Sequence, residues 1–304
     1  MQDPDDFNPA PGVAIELEPG LRRILAPNPS PMTYRGTNTY VLGDTALAVI
    51  DPGPALPDHL EAILAAVQPG QRITHIIVTH SHLDHSPLAA ALSQRTGALV
   101  YAFGGAEAGR SPVMANLAAS GLAGGGEGID AAFSPDITVA DGDTITSKDW
   151  TLEVIHTPGH LGNHIALAWN DACFTADHVM GWASSLVSPP DGDLSDFMAS
   201  CQRLLARPWR VFHPGHGAPV FTPKERLNWL IGHRQSREES ILRELSLTSA
   251  TPQALARAIY TETPAALLLA AERNIFAHLV DLIGKSQVSP VGELSISALF
   301  KLQD

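Results

Sequence analysis

The segment Thr79-His80-Ser81-His82-Leu83-Asp84-His85 constrains this chain more than any other part of it. It follows Ile73–Thr79, a β-branched apolar run of strand length that reads as a buried strand. Three imidazoles and a carboxylate between His80 and His85 are costly to keep beside a core unless they bind something. Neutral imidazole and carboxylate are the ligands that borderline divalent metals such as Zn2+ take, at about 2.0–2.2 Å. The chain leaves its strand here and enters a helix near Ser86–Pro87. Such a turn aims His80 and His82 one way and Asp84 and His85 another, so the spacing suits two adjacent metals better than one.

Three later positions complete a ligand set. His160 follows the strand-like run Thr151–Thr157, Asp177 follows Ala172–Thr175, and His216 follows Arg210–His213. Strand exits are places where a rigid sheet holds loop residues still. Gly159 and Gly215 stand directly before His160 and His216 and let backbone approach closely. His213 competes as a ligand on spacing but reads as structural. His59, His75, His156, His233 and His278 read as ordinary core or surface histidines. His164 and His178 are expected near the site, Trp182 with Met180 is a candidate pocket wall, and Asn38 is a candidate substrate contact. His233, Arg234 and Arg237 are expected to form a solvated basic helix face.

Around these motifs the first 222 residues alternate strand-like and helix-like runs, the pattern of an α/β layer fold. Residues 103–135 are Gly- and Ala-rich, with Gly124–Gly126 in a row, and read equally as a flexible lid or partly helical insertion and as a plain solvated loop. From Pro223 the chain turns helical, with Thr-Pro pairs at Thr251 and Thr263 placed as N-cap and N1 of two helices. A small hairpin is expected within Val288–Leu302. The domain reading is thus 1–222 for the catalytic unit and 223–304 for a linking helix plus a winged-helix-like appendage.

The net charge of −13 lies wholly in the first 222 residues, because residues 223–304 hold nine groups of each sign. A body that acidic repels a polyanion such as RNA at long range. No apolar run reaches the length of a membrane span, and the acidic, Pro-rich start lacks the features of a signal peptide, so the expected compartment is the cytoplasm. Cys173 and Cys201 are expected to be buried free thiols.

The H-x-H-x-D-H motif, the later Gly-His, the lone Asp and the final Gly-His resemble, in order and context, the metallo-β-lactamase superfamily over about residues 15–222. The resemblance implies a four-layer αββα sandwich with a binuclear centre. It assigns His80, His82 and His160 to one metal, Asp84, His85 and His216 to the other, and Asp177 to both. An aspartate at 177, where true β-lactamases have cysteine, resembles the glyoxalase II-like branch and points away from antibiotic hydrolysis. A narrower resemblance, to the β-lactamase-like protein 2 group, rests on Met32-Thr33-Tyr34-Arg35-Gly36-Thr37-Asn38-Thr39-Tyr40 and on His233-Arg234 with Arg237-Glu238 ahead of the winged-helix-like end. Its animal member is a single-strand-selective endoribonuclease, and fungal relatives are thioesterases that release polyketides from acyl carrier protein. The Gly/Ala insertion, the acidic body and His178 next to Asp177 depart from the animal pattern.

What this implies is a hydrolase with two divalent ions, of which Zn2+ is the first expectation and Fe or Mn also fit. A metal-bridging hydroxide would attack an ester, thioester or lactone, with Asp84 orienting it or shuttling its proton. The expected partner is a small-molecule or carrier-bound acyl substrate, with a homo-oligomer left open. Two other readings stay open: an endoribonuclease, and a non-catalytic protein whose tail docks a partner.

Overall fold

The structure is a computed structural model and describes residues 6–122 and 128–303. Seven strands follow one another across the first sheet: β1 (Ala14–Glu18), β2 (Leu21–Leu25), β3 (Asn38–Leu42), β4 (Ala46–Ile50), β5 (Arg72–Ile77), β6 (Leu99–Ala102) and β7 (Ile137–Thr138). The pairs from β1 to β4 are antiparallel. From β4 onward they are parallel, since α1 (Pro57–Ala65) and α2 (Leu88–Thr96) carry the chain back between strands. At the β3–β4 turn Gly43 has φ 118°, and a Cβ there would lie 2.7 Å from Ala46 O. Glycine is therefore required for this hairpin.

The second sheet runs β12-β11-β10-β9-β8, with β8 (Thr144–Thr146), β9 (Thr151–His156), β10 (Ile165–Trp169), β11 (Ala172–Ala176) and β12 (Val211–Pro214). β8 to β11 form an antiparallel meander, and β12 returns parallel to β11 after α4 (Leu194–Leu205). Alternation along each strand sorts residues to the two faces. Val41 and Val49 turn outward onto Ile63 of α1 and Leu92 of α2. Tyr40, Leu42 and Ile50 turn inward onto Val154, Leu167 and Phe174 of the second sheet. The far face of that sheet packs Ala168 and Phe212 on Phe197 and Leu204 of α4 and on Leu227 and Leu230 of α5 (Pro223–Leu247). Both sheets are thus covered on both faces, which is why central strands such as β4 and β10 read as unbroken apolar runs. The order of layers is α, β, β, α, as expected.

Helix α5 serves two cores. Its first turns pack on the second sheet, and Ile241 and Leu245 belong to a separate cluster with α6 (Pro252–Ile259), α7 (Leu268–Gly284) and the antiparallel hairpin β13 (Val288–Val291) and β14 (Leu299–Leu302). Thr251 caps α6, its Oγ1 accepting from Ala254 N at 3.2 Å. The second Thr-Pro pair behaves differently from the expectation: Pro264 precedes a 3-10 turn, Ala265–Leu267, and α7 begins at Leu268 with no side-chain cap.

Residues 103–135 contain α3 (Pro112–Ala119), capped by Ser111 Oγ, which accepts from Met114 N. Met114 and Leu117 are buried in the same cluster as Ile275 and Phe276, so this part of the segment docks on the C-terminal helices. The Gly124–Gly126 run lies outside the described residues. Both cysteines are buried and free. Among the described residues no helix is long and apolar enough to cross a membrane.

Candidate functional site

The loops that leave β5, β9, β11 and β12 meet at one edge of the sandwich and bring all seven expected ligands together. They form two buried groups that share one carboxylate: His80, His82, His160 and Asp177, and Asp84, His85, Asp177 and His216. In the first, His80 Nε2 and His160 Nε2 each lie 3.0 Å from His82 Nδ1. Asp177 Oδ2 is 3.5 Å from His160 Nε2. In the second, Asp84 Oδ2 is 3.1 Å from His216 Nε2 and 3.3 Å from His85 Nε2. Asp177 spans the two, with Oδ1 at 3.4 Å from His85 Nε2 and Oδ2 at 3.3 Å from His216 Nε2. Only glycine fits beside it, since a Cβ on Gly215 would lie 2.3 Å from Asp177 Oδ1.

The donor set fits divalent cations. His160 Nδ1 donates to Leu186 O at 2.7 Å, His216 Nδ1 to Gly36 O at 3.1 Å, and His85 Nδ1 faces Asp51 Oδ2 at 2.9 Å. With Nδ1 so engaged, each ring presents Nε2 to the centre, the arrangement that orients histidine ligands on a metal. Among the described residues, His85 Nε2, His216 Nε2, Asp84 Oδ1 and Asp177 Oδ1 are buried without a hydrogen-bond partner. Converging orphan polar atoms of this kind are costly unless something such as a cation satisfies them. Burial, then the neighbouring His160, pushes His82 down to about 3, and burial also lowers His80 and His160. Burial opposes protonation of His216 as well, but Asp177 and Asp84 outweigh it and lift that ring to about 10. The same opposition leaves Asp84 well below the usual carboxylate range, held there by His85 and His216.

The ligands are braced by residues that the motif reading passed over. Asp51, at the exit of β4, accepts from Thr79 N and Thr79 Oγ1, both at 2.8 Å, while it holds His85. It has φ 51°, a left-handed conformation that is uncommon outside glycine. The clue in the sequence was an acidic residue in Asp51-Pro52-Gly53 directly after a buried strand, which reads first as a turn. Thr37 Oγ1 approaches Asp84 Oδ2 at 3.3 Å. Ser185 Oγ donates to Asp177 O at 2.5 Å, tying a later loop to the residue that both groups share.

The other candidates fall in different places. Asn38 is buried and donates from Nδ2 to Pro214 O and Gly217 O, so it anchors the loop that carries His216. His164 is buried against the His80 ring, with Nδ1 at 2.8 Å from Thr157 Oγ1. His178 lies between Phe197 and Cys201 Sγ. Trp182 does line a cavity and stacks on Tyr34 at 5.0 Å between ring centroids. His213 lies outside both ligand groups, packed on Tyr40 and Phe174. The basic face is a correction: Arg234 is 2% exposed, covered by α7, and donates to Asn274 Oδ1 and Ser185 O. Arg237 lies over Tyr260, and His233 stacks on Trp229.

The cavity beside Trp182 encloses about 190 Å³ and opens onto His82, His160 and Asp177. Its far wall comes from the C-terminal helices through Leu267, Ala270, Ala271 and Asn274. No lysine or arginine lines it among the described residues.

Comparison with known proteins agrees with this geometry. The Metallo-beta-lactamase superfamily model matches residues 32–223, and the Beta-lactamase associated winged helix domain matches 251–292. A Beta-lactamase-like protein 2 homolog of Drosophila melanogaster is 31% identical, covering 92% of this chain and 91% of its own. An Atrochrysone carboxyl ACP thioesterase of Aspergillus fumigatus is 30% identical over 74% of this chain and 65% of its own. Among solved structures, a Beta-lactamase domain protein from Burkholderia ambifaria has a TM-score of 0.80 at 20% identity, over 98% of this chain and 96% of that one. A metallo-beta-lactamase family protein from Thermus thermophilus has a TM-score of 0.74 at 22% identity, over 95% and 100%. With two buried His/Asp clusters and the matching domain order, this chain belongs to the metallo-beta-lactamase superfamily, among its binuclear metal-dependent hydrolases.

Proposed function

We propose that the protein is a thioesterase that hydrolyses carrier-bound acyl thioesters, with Zn2+ as its first-choice metal. The observation that carries this reading is the mostly apolar cavity, free of lysine and arginine among the described residues, that leads away from the shared Asp177. An acyl chain gains by burial there. Along the cavity wall a phosphodiester strand finds no lysine or arginine among the described residues, and the first 222 residues carry the whole net charge of −13. The thioesterase of Aspergillus fumigatus, 30% identical, supports the same choice.

Bound divalent cations would supply an acidified water and positive charge for the oxyanion of the attacked carbonyl. His80, His82 and His160 would hold one, Asp84, His85 and His216 the other, with Asp177 common to both. Trp182 and Leu186 shield the reacting end of the acyl chain from solvent. The Asp84 carboxylate accepts a proton from the attacking water and returns it to the leaving sulfur. The C–S bond breaks as the C–O bond forms, giving a carboxylic acid and a free thiol.

The test is to incubate metal-loaded protein with an acylated carrier protein and, separately, with single-stranded RNA. Release of carrier thiol with intact RNA is the expected result. Cleaved RNA with intact thioester would overturn the reading in favour of a nuclease.

A further inference from the structure

The C-terminal helices place one amide in the cavity with its orientation already decided. Asn274 Oδ1 accepts from Arg234 Nη1 at 2.9 Å and from Val187 N at 3.1 Å. Two donors on one oxygen settle which end of the amide is which. Asn274 lines the same cavity as His82, His160 and Asp177, and its Nδ2 has no protein acceptor among the described residues. The donor behind it is firmly held: the Arg234 guanidinium is buried, lies 5.2 Å from the Phe197 ring and also donates to Ser185 O. A cationic donor on Oδ1 polarises the amide and strengthens Nδ2 as a donor.

Resting on the thioesterase reading above, we propose that Asn274 is a specificity residue, and that the acyl chain this cavity takes carries an oxygen acceptor, a keto or hydroxyl group, that meets Asn274 Nδ2. An amide donor facing a mostly apolar cavity is left unsatisfied by a plain hydrocarbon chain and satisfied by an oxygenated one. Sites with such a donor discriminate against analogues that lack the acceptor. Ala270 and Ala271 keep the same wall low, which leaves room for the chain to pass the amide.

Asn274→Asp separates this role from a structural one. Aspartate keeps an oxygen for Arg234 and Val187 N and replaces only the Nδ2 donor. The probes are 3-oxoacyl, 3-hydroxyacyl and saturated acyl thioesters of equal length on one carrier, with metal content measured beside them. The wild type is expected to prefer the oxygenated chains in kcat/KM, and the variant to lose roughly tenfold or more of that preference with its metal content unchanged. A wild type active on all three without preference, or a variant whose preference stays as in the wild type, would overturn the role of Asn274 and leave the thioesterase reading standing. A wild type that hydrolyses none of them, nor any other acyl thioester offered, would overturn both.

Discussion

His82 and His216 show how one small site holds two kinds of histidine. Where imidazoles face one another, burial keeps them neutral, and His82 falls to about 3. Where they face Asp84 and Asp177, the carboxylates win, and His216 rises to about 10. Near neutral pH the His216 ring of the second group keeps a proton that a cation must displace, while the lowered imidazoles of the first group are already neutral. Metal affinity of the second group should therefore rise with pH up to about 10, and that of the first should be nearly flat near neutrality. Calorimetric titration of the metal-free protein in buffers of different ionisation enthalpy measures this directly, and two equal proton-releasing steps would contradict it. Asp51 gives a second prediction at this scale. Asp51→Ala removes the acceptor of His85 Nδ1, and metal affinity should drop about 10–100-fold, read by competition with a chelating dye. The meeting of these seven residues was legible because their residue types, glycine neighbours and strand exits all pointed one way. Asp51 was not, because a carboxylate in a turn looks the same whether it faces water or a buried imidazole.

Among the elements, the loops after the strands carry the chemistry, and close packing holds them. Gly159 has φ 136°, and a Cβ there would lie 2.3 Å from Phe197 Cα at the start of α4. Backbone cannot yield as a side-chain tip does. Gly159→Ala should cost about 1–3 kcal/mol or more of stability, seen as a lower denaturation midpoint, and it should displace His160. Apart from β7, the strands and most helices were readable from apolar periodicity, down to the hairpin at β13 and β14. Arg234 was misread because a charged residue on a long helix looks solvated until the covering element is known. That element, α7, lies 40 residues onward from Arg234 at Asn274, and no local pattern reports the contact. Residues 103–135 were ambiguous for the same reason: only the docking of Met114 and Leu117 on the C-terminal core separates a packed helix from a loop.

At the scale of the whole molecule, the winged-helix end is part of the site's surroundings, since Arg234 and Asn274 brace Ser185 and Val187, next to the Leu186 carbonyl that holds His160. Buried neutral histidines also set a limit on acid tolerance. Burial lowers His59 to about 4 and holds His278 well below its ordinary value, whereas both titrate at the ordinary 6.5 once unfolded. The unfolded chain binds those protons first, so stability should fall as pH drops from 6.5 toward 4. The sign follows from folded values that lie below the unfolded ones. His278→Leu should shrink the loss of Tm between pH 7 and 5, because neither ring nitrogen has a partner to lose; an unchanged loss would assign it elsewhere. The pair of metal sites joined by Asp177 is tested by elemental analysis of the purified protein beside Asp177→Ala. About two equivalents of divalent metal are expected in the wild type and clearly fewer in the variant. Less than about half an equivalent in the wild type, even after zinc or manganese is added back, would contradict it.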